Sequence, residues 1–177
     1  TGRSSGFSRG TGTSCFPRKD SAMAREVMTR RASDNVYLHK DFHGALSAGI
    51  EYLDRRYGEE SVREYLRAFT RAFYSPLIQR VKTEGLKALA EHFEKIYEIE
   101  GAEAGIKLEG DTLTVSVPSC PAITHMRKHG YPVARLFHET TRTVNETLCE
   151  GTPYRAELVE YDYETGGSVQ RFSRRER

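Results

Sequence analysis

At 177 residues the chain has room for one ordinary domain with a sizeable core, and two independent cores would be unusual at this length. An apolar fraction of 37% and a charged fraction of 29%, with apolar runs of only a few residues, predict no membrane-spanning segment. Three cysteines (Cys15, Cys120, Cys149) without CxxC spacing argue against a disulfide framework and against a zinc knuckle.

The net charge of +2 is unevenly spread. Residues 1–35 carry seven Lys/Arg against three Asp/Glu, which leaves 20 basic and 22 acidic residues for the remainder. The later part is therefore not a nucleic-acid binder by charge. Residues 1–35, rich in Gly, Ser, Thr and Arg, have too few periodic apolar groups to offset the entropy of ordering, and are predicted to be a disordered basic arm. A short helix over residues 21–31 is the one element they could form. No apolar h-region stands near the N-terminus, so the cytoplasm is the expected setting.

Residues 36–177 read as a single α+β domain. From about Asp41 the apolar period is helical, with Phe42, Ala45, Leu46, Gly49, Ile50, Leu53 and Tyr57 on one face and Gly58 as the stop. A second helix from about Glu59 to Tyr74 is predicted to bury Val62, Tyr65, Leu66, Phe69 and Phe73. Ser75-Pro76 breaks the chain before a third segment carrying Leu77, Ile78 and Val81. Leu86, Leu89, Phe93, Ile96 and Tyr97 continue the pattern beyond a joint at Gly85.

The period then becomes two. Ile106 and Leu108, a turn at Gly110-Asp111, and Leu113, Val115 and Val117 describe a β-hairpin. Helix resumes at Pro121, pauses at Gly130-Tyr131-Pro132, and is predicted again from Val133 to Glu150. Two last strands, around residues 155–161 and 169–172, are joined by Glu164-Thr165-Gly166-Gly167. Helices, hairpin, two helices, hairpin is an order that favours a four-stranded antiparallel sheet packed against helices.

Two places carry chemistry. Ser119-Cys120-Pro121-Ala122 sits where a strand gives way to a helix, and a thiol there meets unpaired N–H groups and the positive end of the helix dipole, which favour thiolate. Cys120 is a candidate nucleophile or ligand, or a small residue filling a tight turn. On the predicted helix 133–150, Val133, Phe137, Thr140, Val144 and Leu148 form the apolar stripe, while His138, Arg142, Asn145 and Cys149 line up beside it as a candidate pocket wall. Glu139 and Glu146 are expected further toward solvent. The pairs His39/His43 and His125/His129 have i, i+4 spacing without the Glu of HExxH, and exposed or capping roles fit them better. No GxGxxG, P-loop, GxSxG or EF-hand pattern occurs, and no cofactor is implied.

The motifs Ser119-Cys120-Pro121-Ala122, Phe137-His138-Glu139 and Asn145-Glu146-Thr147-Leu148-Cys149, followed by Gly151 and Tyr154-Arg155, give residues 97–172 a resemblance to L-2-amino-thiazoline-4-carboxylic acid hydrolase-like proteins. The order of elements is also similar to ligand-binding domains of the 4-vinyl reductase and TRAPP-subunit type. Both resemblances imply the same architecture, a small antiparallel sheet against helices. The chain departs from the group's pattern at His138 and Ser168, where members often carry Cys.

The resemblance implies a hydrolase acting on a C–N bond of a cyclic or amide substrate. Cys120 would be nucleophile, His138 general base and Asn145 its orienter, with Arg142, Arg155, Cys149 and Tyr154 on the substrate side. The alternative is a non-catalytic sensor of the same fold, whose Cys120, His138 and Cys149 hold a metal or line a cavity. A small-molecule partner is expected in either case, without nucleic acid or membrane, and a homo-oligomer is left open.

Overall fold

The computed structural model describes residues 42–176 together with the terminal Thr1. The predicted disordered arm from residue 2 onward, with the helix over 21–31 and Cys15, and His39 lie outside the described residues.

Among those described, six helices and four strands follow in the order α1 (Phe42–Tyr57), α2 (Glu59–Phe73), α3 (Ser75–Glu84), α4 (Leu86–Glu100), β1 (Gly105–Glu109), β2 (Thr112–Val117), α5 (Pro121–Lys128), α6 (Glu139–Leu148), β3 (Tyr154–Tyr161) and β4 (Ser168–Arg174). The strands form one antiparallel sheet in the order β1-β2-β4-β3. The α+β class with a four-stranded antiparallel sheet is thus the fold that the alternation of periods implies. No helix among the described residues is long and apolar enough to cross a membrane.

Breaks fall where backbone chemistry demands them. Gly58 and Gly85 separate consecutive helices at φ of 86° and 72°, values that cost little only without a Cβ. Pro76 stands in the first turn of α3, where its missing N–H has no intrahelical partner to lose.

The core has two lobes. In the first, Leu77, Val81, Leu89 and Phe93 of α3 and α4 pack on Leu113, Val115 and Phe172 of the sheet and on Leu148. In the second, Ile50 of α1 and Val62 and Leu66 of α2 meet Ile123 and Met126 of α5 and Phe137. Val144, halfway along α6, packs against both.

Several expected core positions are at the surface instead. Phe42, Tyr57, Tyr65 and Phe73 are 53%, 64%, 44% and 66% exposed, and Ala45 and Gly49 also face out. In α1 only Ser47 and Ile50 are buried, so the flanks of its stripe stay outside. The helix predicted from Val133 begins only at Glu139. Ala134 gives its N–H to Ser47 Oγ, and residues 134–140 close by i→i+3 bonds such as Phe137 N to Ala134 O and Thr140 N to Phe137 O. Phe137 consequently joins the α1/α2/α5 lobe and does not lie on the sheet.

Candidate functional site

Behind α6 lies a cavity of about 210 Å³ between the inner faces of α4 and α6, the start of α5 and strand β4. Phe93, Val144 and Leu148 give it an apolar floor, and Glu100, Cys120, Asn145 and Gln170 bring polar atoms to its wall. His43 of α1 and His92 of α4 also line it.

Cys120 is held there by the chain on both sides. It occupies the N-cap position of α5 with extended φ and ψ, and Pro121 follows at the first helical position. Its N–H donates to Thr165 O at 3.0 Å, which ties it to the turn between β3 and β4. That turn approaches so closely that a Cβ at Gly166, whose φ is 68°, would stand 2.6 Å from Cys120 Cβ and 2.5 Å from Ile123 Cδ1. The amides of Ala122 and Ile123 donate toward the sulphur and favour thiolate, as the helix start predicts. Burial outweighs them, and with the nearby carboxylate of Glu100 it pushes the thiol's pKa up. Desolvation thus acts against the thiolate that the helix start favours, an influence that motif position does not reveal.

Asn145 shares the cavity with Cys120. Its Nδ2 donates to Gln170 Oε1 at 2.7 Å, and Gln170 Nε2 donates in turn to Ser168 Oγ at 3.1 Å. Tyr97 hydrogen-bonds the same Gln170, and burial drives its phenol pKa up to about 12. Above them, His43 Nε2 lies 3.4 Å from Glu100 Oε1. His92 packs edge-on to Tyr74, with ring centroids 5.6 Å apart, and burial lowers its pKa, helped by the charges of Arg80 and Lys95.

His138 stands elsewhere. It is the N-cap of α6, buried between Tyr161 and Tyr163 at centroid distances of 5.7 and 5.4 Å. Its Nδ1 lies 3.2 Å from Arg135 O, its Nε2 is 3.6 Å from Glu139 Oε1, and burial lowers its pKa. It does not line the cavity that holds Cys120. Glu139, expected toward solvent, is fully buried: Thr143 Oγ1 donates to it at 2.6 Å, and Arg63 Nε reaches it at 3.2 Å. Glu146 is exposed, as its position on the helix suggests.

The four residues placed on the substrate side are also apart from this cavity. Arg142 turns to Glu139 at 3.6 Å, and Arg155 donates to Ser173 Oγ at 3.2 Å on the exposed side of the sheet. Cys149 is fully buried in the sheet lobe, where desolvation raises its pKa to about 12. Tyr154 packs over Gly85, leaving no room there for a Cβ. Of the expected site residues the fold brings together Cys120 and Asn145. Among the described residues no three His, Cys, Asp or Glu side chains are spaced to hold a metal ion.

Sequence reasoning passed over Glu100 and Gln170 and took Tyr97 only as part of the apolar stripe. A signal existed: Glu100 lies seven residues after Phe93 on the buried stripe of α4, and Gln170 alternates with Ser168 and Phe172 on the inward face of β4. Polar groups at core register mark a cavity or a network.

Fold and site together define an α+β domain with a partly open, mainly apolar pocket that carries a few polar groups. Neither a family model nor a curated protein matches the chain.

Proposed function

We propose that this domain is a small-molecule-binding module whose ligand occupies the cavity between α4 and α6. The observation that carries this reading is the cavity's construction: an apolar floor of Phe93, Val144 and Leu148 beneath a wall of oriented polar groups, Asn145, Gln170 and Tyr97. Binding sites combine apolar surface for affinity with a few fixed polar atoms for orientation. The similarity in element order to ligand-binding domains of the 4-vinyl reductase type points the same way.

A Cys/His hydrolase on the same fold asks for an imidazole at the Cys120 sulphur. His138, with its ring nitrogens near Arg135 O and Glu139, favours binding over that chemistry, as does the burial that keeps Cys120 a thiol. The test is a thermal-shift screen of small neutral, cationic and anionic organic molecules. A ligand at about 100 times its Kd stabilises by roughly 2.7 kcal/mol, which raises Tm by on the order of 10 °C. Filling the cavity by Val144→Phe is expected to abolish the shift. A screen without any shift, or a shift untouched by the filled cavity, overturns the reading.

A further inference from the structure

Asn145 is only 7% exposed, yet the protein uses just part of its hydrogen-bonding capacity. A carboxamide side chain offers two N–H donors and one carbonyl acceptor. Nδ2 gives one donor to Gln170 Oε1 at 2.7 Å, and among the described residues Oδ1 and the second N–H have no hydrogen-bond partner. The amides around it are held in place: Gln170 Nε2 donates to Ser168 Oγ, which fixes its carbonyl toward Asn145 and so fixes which end of the Asn145 amide is oxygen. His43 and Glu100, at the other polar end of the wall, face each other at 3.4 Å. Asn145 lines the cavity together with Val144 and Leu148 of the same helix. A ligand that covers Oδ1 without a donor of its own strips the oxygen of solvent and leaves it unsatisfied, a penalty that a donor-bearing ligand avoids.

We propose that the cavity selects a small ring compound whose polar group donates and accepts at once, a carboxamide or a hydroxyl, and that Asn145 is the residue that reads it. This deepens the binding reading and rests on it. The ligand's N–H or O–H donates to Asn145 Oδ1, its oxygen accepts the spare Nδ2–H, and its ring lies over Phe93, Val144 and Leu148. An ammonium accepts nothing from Nδ2, and a carboxylate donates nothing to Oδ1, so neither completes both positions. A wall that hydrogen-bonds a ligand group rejects the analogue lacking it more strongly than an apolar wall rejects a changed alkyl group. Size narrows the class further. An apolar cavity of about 150 Å³ accepts benzene, so one of 210 Å³ fits a single ring with a short polar arm.

Isothermal titration of the full chain with two matched pairs tests this: benzamide against acetophenone, and benzyl alcohol against ethylbenzene. Within each pair the size is the same and only the first member carries a donor. The second member is the more apolar, so burial alone would favour it. The donor-bearing member is expected to bind about fivefold or more tightly in at least one pair, and the pair that shows it tells carboxamide from hydroxyl. Asn145→Leu is expected to abolish that preference, and a preference that persists would put the donor's partner elsewhere and overturn the proposal. Val144→Phe is expected to remove all binding; binding that survives it overturns the proposal as well. Where Asn145→Leu does not fold, the order within the unmodified protein and its loss in Val144→Phe decide. Equal or reversed affinities in both pairs refute the role of Asn145 while leaving the cavity reading intact. Binding by none of the four also refutes it, and the wider thermal-shift screen then judges the cavity.

Discussion

Asn145 Nδ2 donates to Gln170 Oε1 at 2.7 Å, joining the middle of α6 to the inner face of β4 across the end of the cavity. Both side chains are buried, so neither amide can turn to bulk water for a replacement partner. Asn145→Ala is expected to cost about 1–3 kcal/mol, because it leaves the Gln170 carbonyl unsatisfied. Adding Gln170→Leu to that variant should cost less than the sum of the two single changes. Urea denaturation of the four proteins measures the coupling, and strict additivity would show that the bond is energetically idle.

Glu139 makes the sharper demand. Its carboxylate is fully buried at the start of α6, where the helix dipole favours it, with Arg63 Nε at 3.2 Å and Arg142 Nη1 at 3.6 Å. Arg63→Met removes the nearer cation from a charge that cannot be rehydrated, and a loss of about 3 kcal/mol or more is expected. Arg142 is more exposed and more distant, so Arg142→Met should cost well under half as much. Chemical denaturation of both variants gives the comparison, and equal losses would refute this division of labour.

These two networks mark where sequence reading stopped. The alternation of period 3.6 and period 2, with Gly58, Gly85 and Pro76 as punctuation, is enough to obtain the helices and the hairpin-built sheet. It puts Asn145 beside the apolar stripe of its helix, and Asn145 lines the cavity with Cys120, because local register fixes the face on which a side chain emerges. It could not show that Ser47 captures the N–H of Ala134, since that contact spans 87 residues and delays the helix until Glu139. His138 and Glu139 moved together for that reason: one became an N-cap beside Tyr161, the other a buried carboxylate facing Arg63. Burial of Cys120 likewise depends on Gly166 in a distant turn, so its desolvation was invisible in the motif.

Acid should destabilise the fold through its histidines. Burial lowers the pKa of His92 and of His138 in the native state, while an unfolded imidazole keeps its ordinary value of about 6.5. Below that value the unfolded chain binds more protons, so the stabilisation is present above about pH 6.5 and is lost as pH falls through the depressed native values. Denaturant midpoints between about pH 7.5 and pH 5 are expected to fall, and the double variant His92→Gln/His138→Gln should flatten the slope. An unchanged slope would assign the acid sensitivity to carboxylates instead.

The thiols give the last test, and it bears on function. Desolvation raises Cys120 and takes Cys149 to about 12, so in the native protein both are thiols rather than thiolates at neutral pH. Alkylation by iodoacetamide, followed residue by residue by mass spectrometry, is therefore expected to be slow at both and to become fast in urea. Cys120 should react before Cys149, because it is half-buried at the cavity wall whereas Cys149 is sealed in the sheet lobe. A ligand that fills the cavity should slow Cys120 further and leave Cys149 unchanged, which would place that ligand beside the sulphur. Rapid native labelling of Cys120 well below the ordinary thiol pKa of about 8.5 would contradict the burial argument. The amides of Ala122 and Ile123 would then be the dominant influence on the sulphur, and the hydrolase reading would displace the binding one.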